Sequence, residues 1–265
     1  MHEKKVVVIT GGAKGIGKAI ATTYCRKGYH VVVLGRDEKA LKTTSSELAR
    51  LGCSIHAMKT DVGDATECSD AVAAIIADHG TIDVLVLNAG VSMRGTVEAT
   101  SIEVAEKIMR TNFFGSLNMI KPALPALRES KGSIVFISSI MALRGLPFTS
   151  YYGASKAALK ILSESMRCEL AHTGIHIGIV HVGMTRNEPQ KRVFAPDGSS
   201  IALDERKKAA TRESVADKVV ACSEKRIAEM TLTPIGKLAG FLYRHFPRLS
   251  RYVTGRFSTV TRFYR

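Results

Sequence analysis

The sequence predicts an α/β fold, a doubly wound parallel sheet with helices on both faces, built as a single domain. Three observations support this prediction. Short runs rich in valine and isoleucine alternate along the chain with longer segments of helical pattern. These runs are apolar at nearly every position, which indicates strands buried on both faces of a parallel sheet. No repeat or low-complexity linker divides the 265 residues into separate units.

The predicted elements follow one another in regular alternation. The first strand, KVVVIT, occupies residues 5–10, and further strands are predicted at 30–35, 54–62, 83–90, 132–139 and 175–183. The intervening helices are predicted at 15–28, 37–51, 64–79, 101–128 and 151–173, and a helical pattern resumes at residue 216. Residues 184–215 break this rhythm because they are polar and contain Pro189, Pro196 and Gly198. An insertion of this length in a compact domain predicts a lid over the substrate.

We therefore predict a domain at 1–230, including the lid at about 184–215, and a basic amphipathic C-terminal extension at 231–265. The extension supplies seven cations of the net charge of +14 and contains no acidic residue. On a helix over 235–249, one arc would carry Ile235, Leu238, Ala239, Leu242, Phe246 and Leu249, with Lys237, Arg244 and Arg248 opposite. Such a helix packs on its own domain, contacts another subunit, or lies on anionic lipid as a peripheral membrane contact.

Composition favours a globular protein, since hydrophobic residues make up 45% of the chain. The five cysteines form no Cys-x-x-Cys pair, so we expect no disulfide framework and a reducing, cytoplasmic location. No cluster of cysteine and histidine shows the usual metal-ligand spacing. We expect neither a signal peptide nor a membrane span, and no nucleic-acid partner, because no recognition module is visible.

A glycine-rich turn stands between the first strand and the first helix. The stretch TGGAKGIG places Gly11, Gly15 and Gly17 where a strand ends and a helix begins. Glycines there allow a tight turn and the close approach of a phosphate to the positive N-terminus of the helix. The alternative is a purely structural turn, but a strand before and a helix after it favour a Rossmann-type nucleotide site.

The residues after the second strand indicate which nucleotide is bound. A carboxylate at that position would bond the adenosine ribose hydroxyls and favour NAD, but here Gly35 and Arg36 come first and Asp37 follows one place later. Lys14 lies inside the glycine turn, and two cations suit a ribose 2′-phosphate. The sequence therefore favours NADP(H), unless Arg36 merely begins a solvated helix.

The stretch SYYGASKAAL places Tyr152 four residues before Lys156, so that on a helix the phenol and the ammonium share one face. This pair alone is also compatible with an ordinary helix whose polar residues face water. Together with TGGAKGIG, NAG at 88–90, ISS at 137–139 and YGASK at 152–156, the sequence resembles the classical short-chain dehydrogenases/reductases. Within them it is most similar to the branch related to 11-beta-hydroxysteroid dehydrogenase.

The resemblance implies four catalytic residues. Tyr152 would exchange a proton with the substrate oxygen, and Lys156 would lower the pKa of its phenol and bond the nicotinamide ribose. Ser139 would stabilise charge on that oxygen, and Asn112 would hold a water leading to Lys156. Alternatives exist, since Tyr151 and Ser138 are neighbours of the chosen residues and a helical asparagine is often a local hydrogen-bonder.

The resemblance also implies the cofactor contacts. These are Gly11, Lys14, Gly15, Ile16, Gly17, Arg36, Asp61, Val62, Asn88, Ala89, Gly90, Tyr152, Lys156, Val182 and Thr185. Asp61 and Val62 would contact the adenine. The alternative role of Asn88 is to tie neighbouring strands together. Val182 replaces the usual proline after the last strand, and Asn187 stands where a threonine is common, which leaves the nicotinamide contacts open.

The sequence thus predicts an NADP(H)-dependent carbonyl reductase or alcohol dehydrogenase. The rival hypothesis is a non-catalytic NADP(H)-sensing or scaffold protein on the same fold. We expect a lipophilic carbonyl or alcohol substrate, and the candidates for its pocket are Met141, Leu143, Leu146, Phe148, Tyr151, Met184 and Phe194. The resemblance implies a homodimer or homotetramer that pairs through 101–128 and 151–173.

Overall fold

The structure, a computed structural model, describes residues 4–186, 188, 191–203, 209–233, 241, 242, 245, 246, 248 and 252. Within these residues the strands are β1 Val6–Thr10, β2 His30–Gly35, β3 Ser54–Lys59, β4 Val84–Leu87, β5 Ser133–Ser139, β6 His176–Val182, β7 Arg192–Phe194, β8 Ser200–Ala202 and β9 Glu229–Thr231. The α-helices are α1 Gly15–Arg26, α2 Glu38–Arg50, α3 Ala65–His79, α4 Ile102–Met109, α5 Gly115–Glu129, α6 Ser150–Glu169 and α7 Arg212–Glu224.

Seven of the described strands form one parallel sheet in the order β3-β2-β1-β4-β5-β6-β9. The order reverses direction between β1 and β4, which opens a crevice at the carboxyl ends of these two strands. Five of the strands, β1, β2, β4, β5 and β6, have cores of consecutive buried residues, as expected for strands covered on both faces. The predicted doubly wound α/β fold is confirmed.

Each face of the sheet has its own hydrophobic core. On one face α3, α5 and α6 pack onto the sheet through residues such as Val72, Met119 and Leu159. On the other face α1, α2 and α7 pack through residues such as Ile20 and Val219. These two layers fix the sheet between them, so the loops at its carboxyl edge are anchored on both sides.

Three elements differ from the sequence prediction. The single helix predicted at 101–128 is two α-helices, α4 and α5, joined by a π-helical turn at Arg110–Phe114. The short strand β9 was not predicted, because three residues are too few to show a periodic pattern. The segment predicted as a lid contains the antiparallel hairpin β7–β8, and the bridge between Met93 and Phe194 holds it beside the loop after β4.

The structure pairs Cys25 with Cys53 in a disulfide, although the sequence predicts no disulfide framework. Their Cα atoms are 5.3 Å apart although 28 positions separate them in the sequence. The reason is topological, because the end of α1 and the start of β3 lie at the same edge of the sheet. Cys68, Cys168 and Cys222 are free thiols.

Among the described residues, no helix has both the length and the hydropathy needed to cross a membrane. The amphipathic helix predicted at 235–249 falls mostly outside the described residues. So does most of the extension at 231–265 to which it belongs.

Candidate active site

The glycine turn joins β1 to α1 at the carboxyl edge of the sheet. Gly11 and Gly15 have φ values of +63° and +55°, a backbone conformation that side chains disfavour. A Cβ added at Gly17 would lie 2.1 Å from the Gly11 carbonyl oxygen. The start of α1 can therefore approach the turn this closely only with glycine at position 17, and the result is a cradle of the shape that a dinucleotide phosphate requires.

Asn88, at the end of β4, holds this turn in place. Its side-chain amide donates to the carbonyl oxygens of Thr10 and Gly11 at 2.9 and 3.1 Å. In return, the Thr10 hydroxyl accepts hydrogen bonds from the backbone of Asn88 and Ala89, both at 3.0 Å. The structure therefore supports the strand-tying role of Asn88, which the sequence left open beside cofactor contact.

A cleft of about 590 Å³ extends from the glycine turn along the carboxyl edge of the sheet. Most of the predicted site residues line it: Gly11, Lys14, Gly15, Ile16, Gly17, Asn88, Ala89, Gly90, Ser139, Tyr152, Lys156, Val182 and Thr185. Arg36, Asp61, Val62 and Asn112 are not among its lining residues. The first three of these lie after β2 and β3, and Asn112 lies behind the wall of the cleft.

Ser139, Tyr152 and Lys156 converge in the cleft. Ser139 ends β5, and its side chain is hydrogen-bonded to Tyr152. Its hydroxyl oxygen also accepts a bond from the backbone of Met141 at 3.2 Å. Lys156 lies one turn after Tyr152 in α6, with its ammonium 5.9 Å from the centre of the tyrosine ring. The side chain of Ser138 points away and donates to the Lys156 carbonyl oxygen at 3.2 Å, so Ser139 is the serine that faces the tyrosine.

The electrostatics of this group differ from the sequence prediction. Burial raises the pKa of Tyr152, and the hydrogen bond from Ser139 and the charge of Arg94 only partly oppose it. The expectation that Lys156 sets a low pKa is thus not met in the polypeptide by itself. The reason is that the Lys156 ammonium donates to the Ile137 carbonyl oxygen at 2.9 Å rather than to the phenol.

The pKa of Lys156 is also shifted. Its side chain is buried, and this burial lowers its pKa from 10.5 to about 8, with a smaller contribution from the charge of Lys191. A lysine whose charge is so poorly solvated binds oxygen acceptors strongly, and an adjacent sugar hydroxyl is such an acceptor.

Asn112 occupies the π-helical turn between α4 and α5 and is fully buried. Its side-chain amide exchanges hydrogen bonds with the backbone of Val91, accepting at 2.8 Å and donating at 3.0 Å, and donates to the Ser155 hydroxyl at 2.9 Å. A Cβ at Gly90 would lie 3.2 Å from the Asn112 side-chain oxygen and 3.4 Å from the Lys156 ammonium. Asn112 therefore ties the loop after β4 to α6 directly behind Lys156, and its predicted role in holding a water stays a prediction.

At the far end of the crevice, each predicted phosphate-binding cation faces a carboxylate. Lys14 forms an ion pair with Asp37, and Arg36 lies 3.6 Å from Asp61. The hydrogen bond from Lys14 holds the pKa of Asp37 below its ordinary value, helped by the backbone of Ala40 at the start of α2. Asp37 thus pairs with Lys14, the cation that the sequence assigns to the ribose 2′-phosphate.

The cleft also contains charged residues that the sequence did not single out. They are Arg94, Arg186, Glu188, Lys191, Arg192 and Arg212. Glu188 lies over the glycine turn, with a carboxylate oxygen 3.3 Å from the position of a Cβ at Gly15. The high charge of the insertion at 184–215 was the available signal for most of them, but it does not show which side chains point inward.

The predicted apolar pocket is only partly confirmed. Met141 and Met184 line the cleft, whereas Leu143, Leu146, Phe148, Tyr151 and Phe194 are not among its lining residues. Tyr151 and Phe194 instead pack against a small buried cluster that includes Met93. Tyr151 is therefore a packing residue beside the cleft and not part of its lining.

Comparison with known proteins agrees with this arrangement. A family model described as short chain dehydrogenase matches residues 5–197. Dehydrogenase/reductase SDR family member 7B from Xenopus laevis is 32% identical over 254 residues, which cover 92% of this chain and 79% of that protein. Its Bos taurus counterpart is 33% identical over 254 residues, covering 92% and 78%.

A solved structure extends the comparison to the fold. An alcohol dehydrogenase from the archaeon Thermococcus sibiricus, complexed with 5-hydroxy-NADP, superposes with a TM-score of 0.77 at 25% identity, covering 87% of this chain and 96% of that one. Because these likenesses include the glycine turn, α6 and every strand of the sheet between them, the chain belongs to the short-chain dehydrogenase/reductase family of oxidoreductases, whose members use a nicotinamide cofactor.

Proposed function

We propose that this protein is an NADP(H)-dependent reductase of carbonyl compounds, or dehydrogenase of the corresponding alcohols, with Tyr152 as the acid–base residue. The observation that carries the proposal is the convergence of Ser139, Tyr152 and Lys156 on the cleft that begins at the glycine turn. The cofactor, when bound, supplies or accepts the hydride.

The chain's own residues provide the remaining chemistry. At neutral pH the phenol of Tyr152 is protonated, since its ordinary pKa is about 10 and burial raises it further, and it can donate this proton to a carbonyl oxygen. Ser139 can stabilise the charge that develops on the same oxygen, because it is hydrogen-bonded to the tyrosine. Lys156 faces Gly90 and can bond the ribose hydroxyls.

Replacing the proposed acid tests the mechanism. We expect Tyr152→Phe to reduce kcat by at least about a thousandfold while the dissociation constant for NADPH changes little, because the phenol acts on substrate. Tyr151→Phe is the matched control, and it should keep most of its activity. Steady-state rates, followed by NADPH absorbance, and fluorescence titration provide the two measurements. Comparable rates for the two variants would contradict the role of Tyr152.

The preference for NADP(H) is proposed from Lys14 and Arg36, although Asp37 and Asp61 partly neutralise them. We expect NADPH to bind at least about tenfold more tightly than NADH, equivalent to ~1.4 kcal/mol from one charge-assisted phosphate contact. Arg36→Ser should reduce the ratio of the dissociation constants for NADH and NADPH. Arg50 is an exposed arginine at the end of α2, and Arg50→Ser should leave this ratio unchanged. Equal affinities of the wild type for the two nucleotides would refute the preference.

A lipophilic substrate is proposed because Met141, Met184, Val193 and Leu203 contribute apolar surface to the cleft that Tyr152 also lines. A panel of ketones assayed with NADPH tests it. Larger apolar ketones should give the higher kcat/KM, and a preference for small sugars would contradict the proposal. If no carbonyl compound were reduced by protein that binds NADPH, the sensing or scaffold alternative would be favoured.

The proposal also covers the association of the chain and its location in the cell. Phe114 before α5 and Ile161 in α6 are 52% and 61% exposed, as residues of a subunit interface would be in an isolated chain. We propose a homodimer or homotetramer through these helices, which light scattering would test. The cytoplasmic location also stays a proposal, and the Cys25–Cys53 disulfide weighs against a reducing compartment.

A further inference from the structure

Three histidines and an aspartate gather at the amino edge of the sheet, the edge opposite the active-site cleft. His30 begins β2, His56 lies in β3, and Asp78 and His79 lie in the last turn of α3. The fold brings them together because a helix that returns along a parallel sheet ends where the strands begin. His30 and Ser54 are register partners, and Val32 is the partner of His56, so both histidines lie on the sheet face that α3 covers.

The spacing of the possible ligand atoms is close to that of a metal site. One nitrogen or oxygen from each of His56, Asp78 and His79 lies within 4.8 Å of the others. The Nδ1 of His56 is 3.8 Å from a carboxylate oxygen of Asp78, which is too long for a hydrogen bond. Tetrahedral zinc with bonds of about 2.0–2.1 Å holds its ligand atoms roughly 3.3 Å apart. Small side-chain rotations therefore bring the three atoms onto one ion.

Two buried ring nitrogens in this cluster need a partner. The Nε2 atoms of His30 and His79 have no hydrogen-bond partner among the described residues. Leaving such an atom unsatisfied is costly, and native structures rarely do so. The ring of His79 is also held in place, because the His30 ring packs against it at a tilt, with centroids 3.9 Å apart, and the His30 Nδ1 is 2.5 Å from the Ser54 hydroxyl. A fixed imidazole with an unsatisfied nitrogen is a group that a metal ion can stabilise.

We propose that His56, Asp78 and His79 bind a divalent transition-metal ion, represented best by Zn²⁺, with water as the fourth ligand. Two imidazoles and one carboxylate form a ligand set that zinc uses, and they suit it better than they suit Mg²⁺ or Ca²⁺. The C-terminus of α3 adds a favourable partial negative charge. Sequence spacing did not reveal the site because its ligands come from a strand and a helix that only the fold brings together.

Such an ion would clamp the last turn of α3 to β3, the edge strand of the sheet. The site shares no residue with the cleft, so its effect is expected on stability rather than on cofactor binding. It does not depend on the proposed function.

The proposal is tested by calorimetric titration of untagged protein with ZnCl₂ in a buffer without thiols, and by thermal unfolding with and without the ion. Because Cys168 is exposed and could bind zinc on its own, every protein carries Cys168→Ser. We expect one ion per chain and, with Zn²⁺ at about 100 times its Kd, a rise in Tm of roughly 5 °C or more. MgCl₂ should give neither effect.

The exposed ligands provide the variants, since His56 and Asp78 side chains are 39% and 55% exposed and their replacement should not prevent folding. His56→Asn and Asp78→Asn should each weaken zinc binding at least about tenfold. His172→Asn, at an exposed histidine outside the cluster, is the matched control and should bind zinc like the parent. NADPH affinity should be the same in all of them. The proposal is overturned if zinc does not bind saturably to the parent protein, or if both ligand variants bind zinc as tightly as the parent does.

Discussion

The buried ammonium of Lys156 destabilises the folded state, although the active site requires this residue. Its ammonium is buried, and this burial lowers its pKa from 10.5 to about 8. Below pH 8 the folded protein therefore holds a poorly solvated charge. Above pH 8 folded Lys156 becomes neutral, while in the unfolded chain it keeps its proton up to about pH 10.5, so the folded state gains stability as pH rises through this interval.

This linkage predicts a pH-dependent difference between the wild type and Lys156→Met. Without cofactor, the free energy of unfolding of the wild type relative to the variant should increase by about 2 kcal/mol between pH 7 and pH 9.5, because only the wild type has the buried amine. Urea denaturation at the two pH values measures it. Lys160→Met, which removes a partly exposed lysine paired with Glu164, is the control and should show no such change. If the free energies of unfolding of the wild type and Lys156→Met differed by the same amount at both pH values, burial would not lower the pKa of the Lys156 amine.

At the residue scale, the sequence predicted what helix geometry determines. A spacing of four positions from Tyr152 to Lys156 is enough to place them on one face of α6, and the structure brings both into the cleft. The partners of Asn112 were not predictable, because Val91 and Ser155 are distant in sequence and meet it only through a π-helical turn. The ion pairs of Lys14 and Arg36 likewise depend on how the loops after β2 and β3 approach each other.

At the element scale, α1 and its glycine turn provide the sharpest test. In Gly17→Ala, the new Cβ would lie 2.1 Å from the Gly11 carbonyl oxygen and 2.6 Å from the Asn88 amide nitrogen. The turn must therefore shift, and we expect NADPH affinity to fall at least about tenfold, or ~1.4 kcal/mol. Fluorescence titration of the nucleotide measures the effect.

The control for this change lies just beyond the other end of the same helix. Gly28 has a φ of +82° and open space around its Cβ position, so Gly28→Ala costs about 1 kcal/mol of backbone strain without touching the turn. It should lower Tm but leave NADPH affinity unchanged. If the two alanine variants bound NADPH equally well, close packing at Gly17 would not be what shapes the phosphate site.

Elements with long apolar patterns were predictable, and short or composite ones were not. The cores of β1, β2, β4, β5 and β6 are consecutive buried residues, which leave a clear signal in the sequence. The strand β9 and the hairpin β7–β8 have only three residues per strand, too few to show a periodic pattern. The strand β9 also depends on pairing with β6, which is distant in sequence. The π-helical turn at Arg110–Phe114 has the same apolar pattern as a continuous helix, so periodicity cannot detect it.

At the scale of the whole molecule, the two edges of the sheet carry different chemistry. Strand ends and glycine turns at the carboxyl edge form the cleft, whereas strand starts and the end of α3 at the amino edge gather the histidines. Parallel topology explains both, because it collects like ends of all strands at one edge. The spacing of the family motifs predicted the site at the carboxyl edge. The histidine cluster at the amino edge has no local sequence pattern, so the sequence could not predict it.

The basic extension leads to the last prediction, which concerns how the molecule meets a membrane. Residues 231–265 carry seven cations and no acid, and Phe241, Phe246 and Tyr252 are each more than half exposed. An anionic surface attracts each cation with about 1 kcal/mol, and exposed aromatic rings suit the interface between lipid and water. We expect the intact chain to sediment with anionic but not with neutral vesicles, and less as the salt concentration rises.

A truncated chain tests whether the extension at 231–265 is responsible for binding to anionic vesicles. It should end after Thr233, because the Leu232 backbone donates to His181 at 3.2 Å and Thr233 packs against Gly183, so an earlier cut would disturb the sheet beside the cleft. The truncated protein should keep its cooperative thermal unfolding and NADPH affinity but no longer sediment with anionic vesicles, since it has lost all seven cations of the extension. Sedimentation that survives this truncation would assign membrane contact to the domain itself and exclude the extension as the anchor.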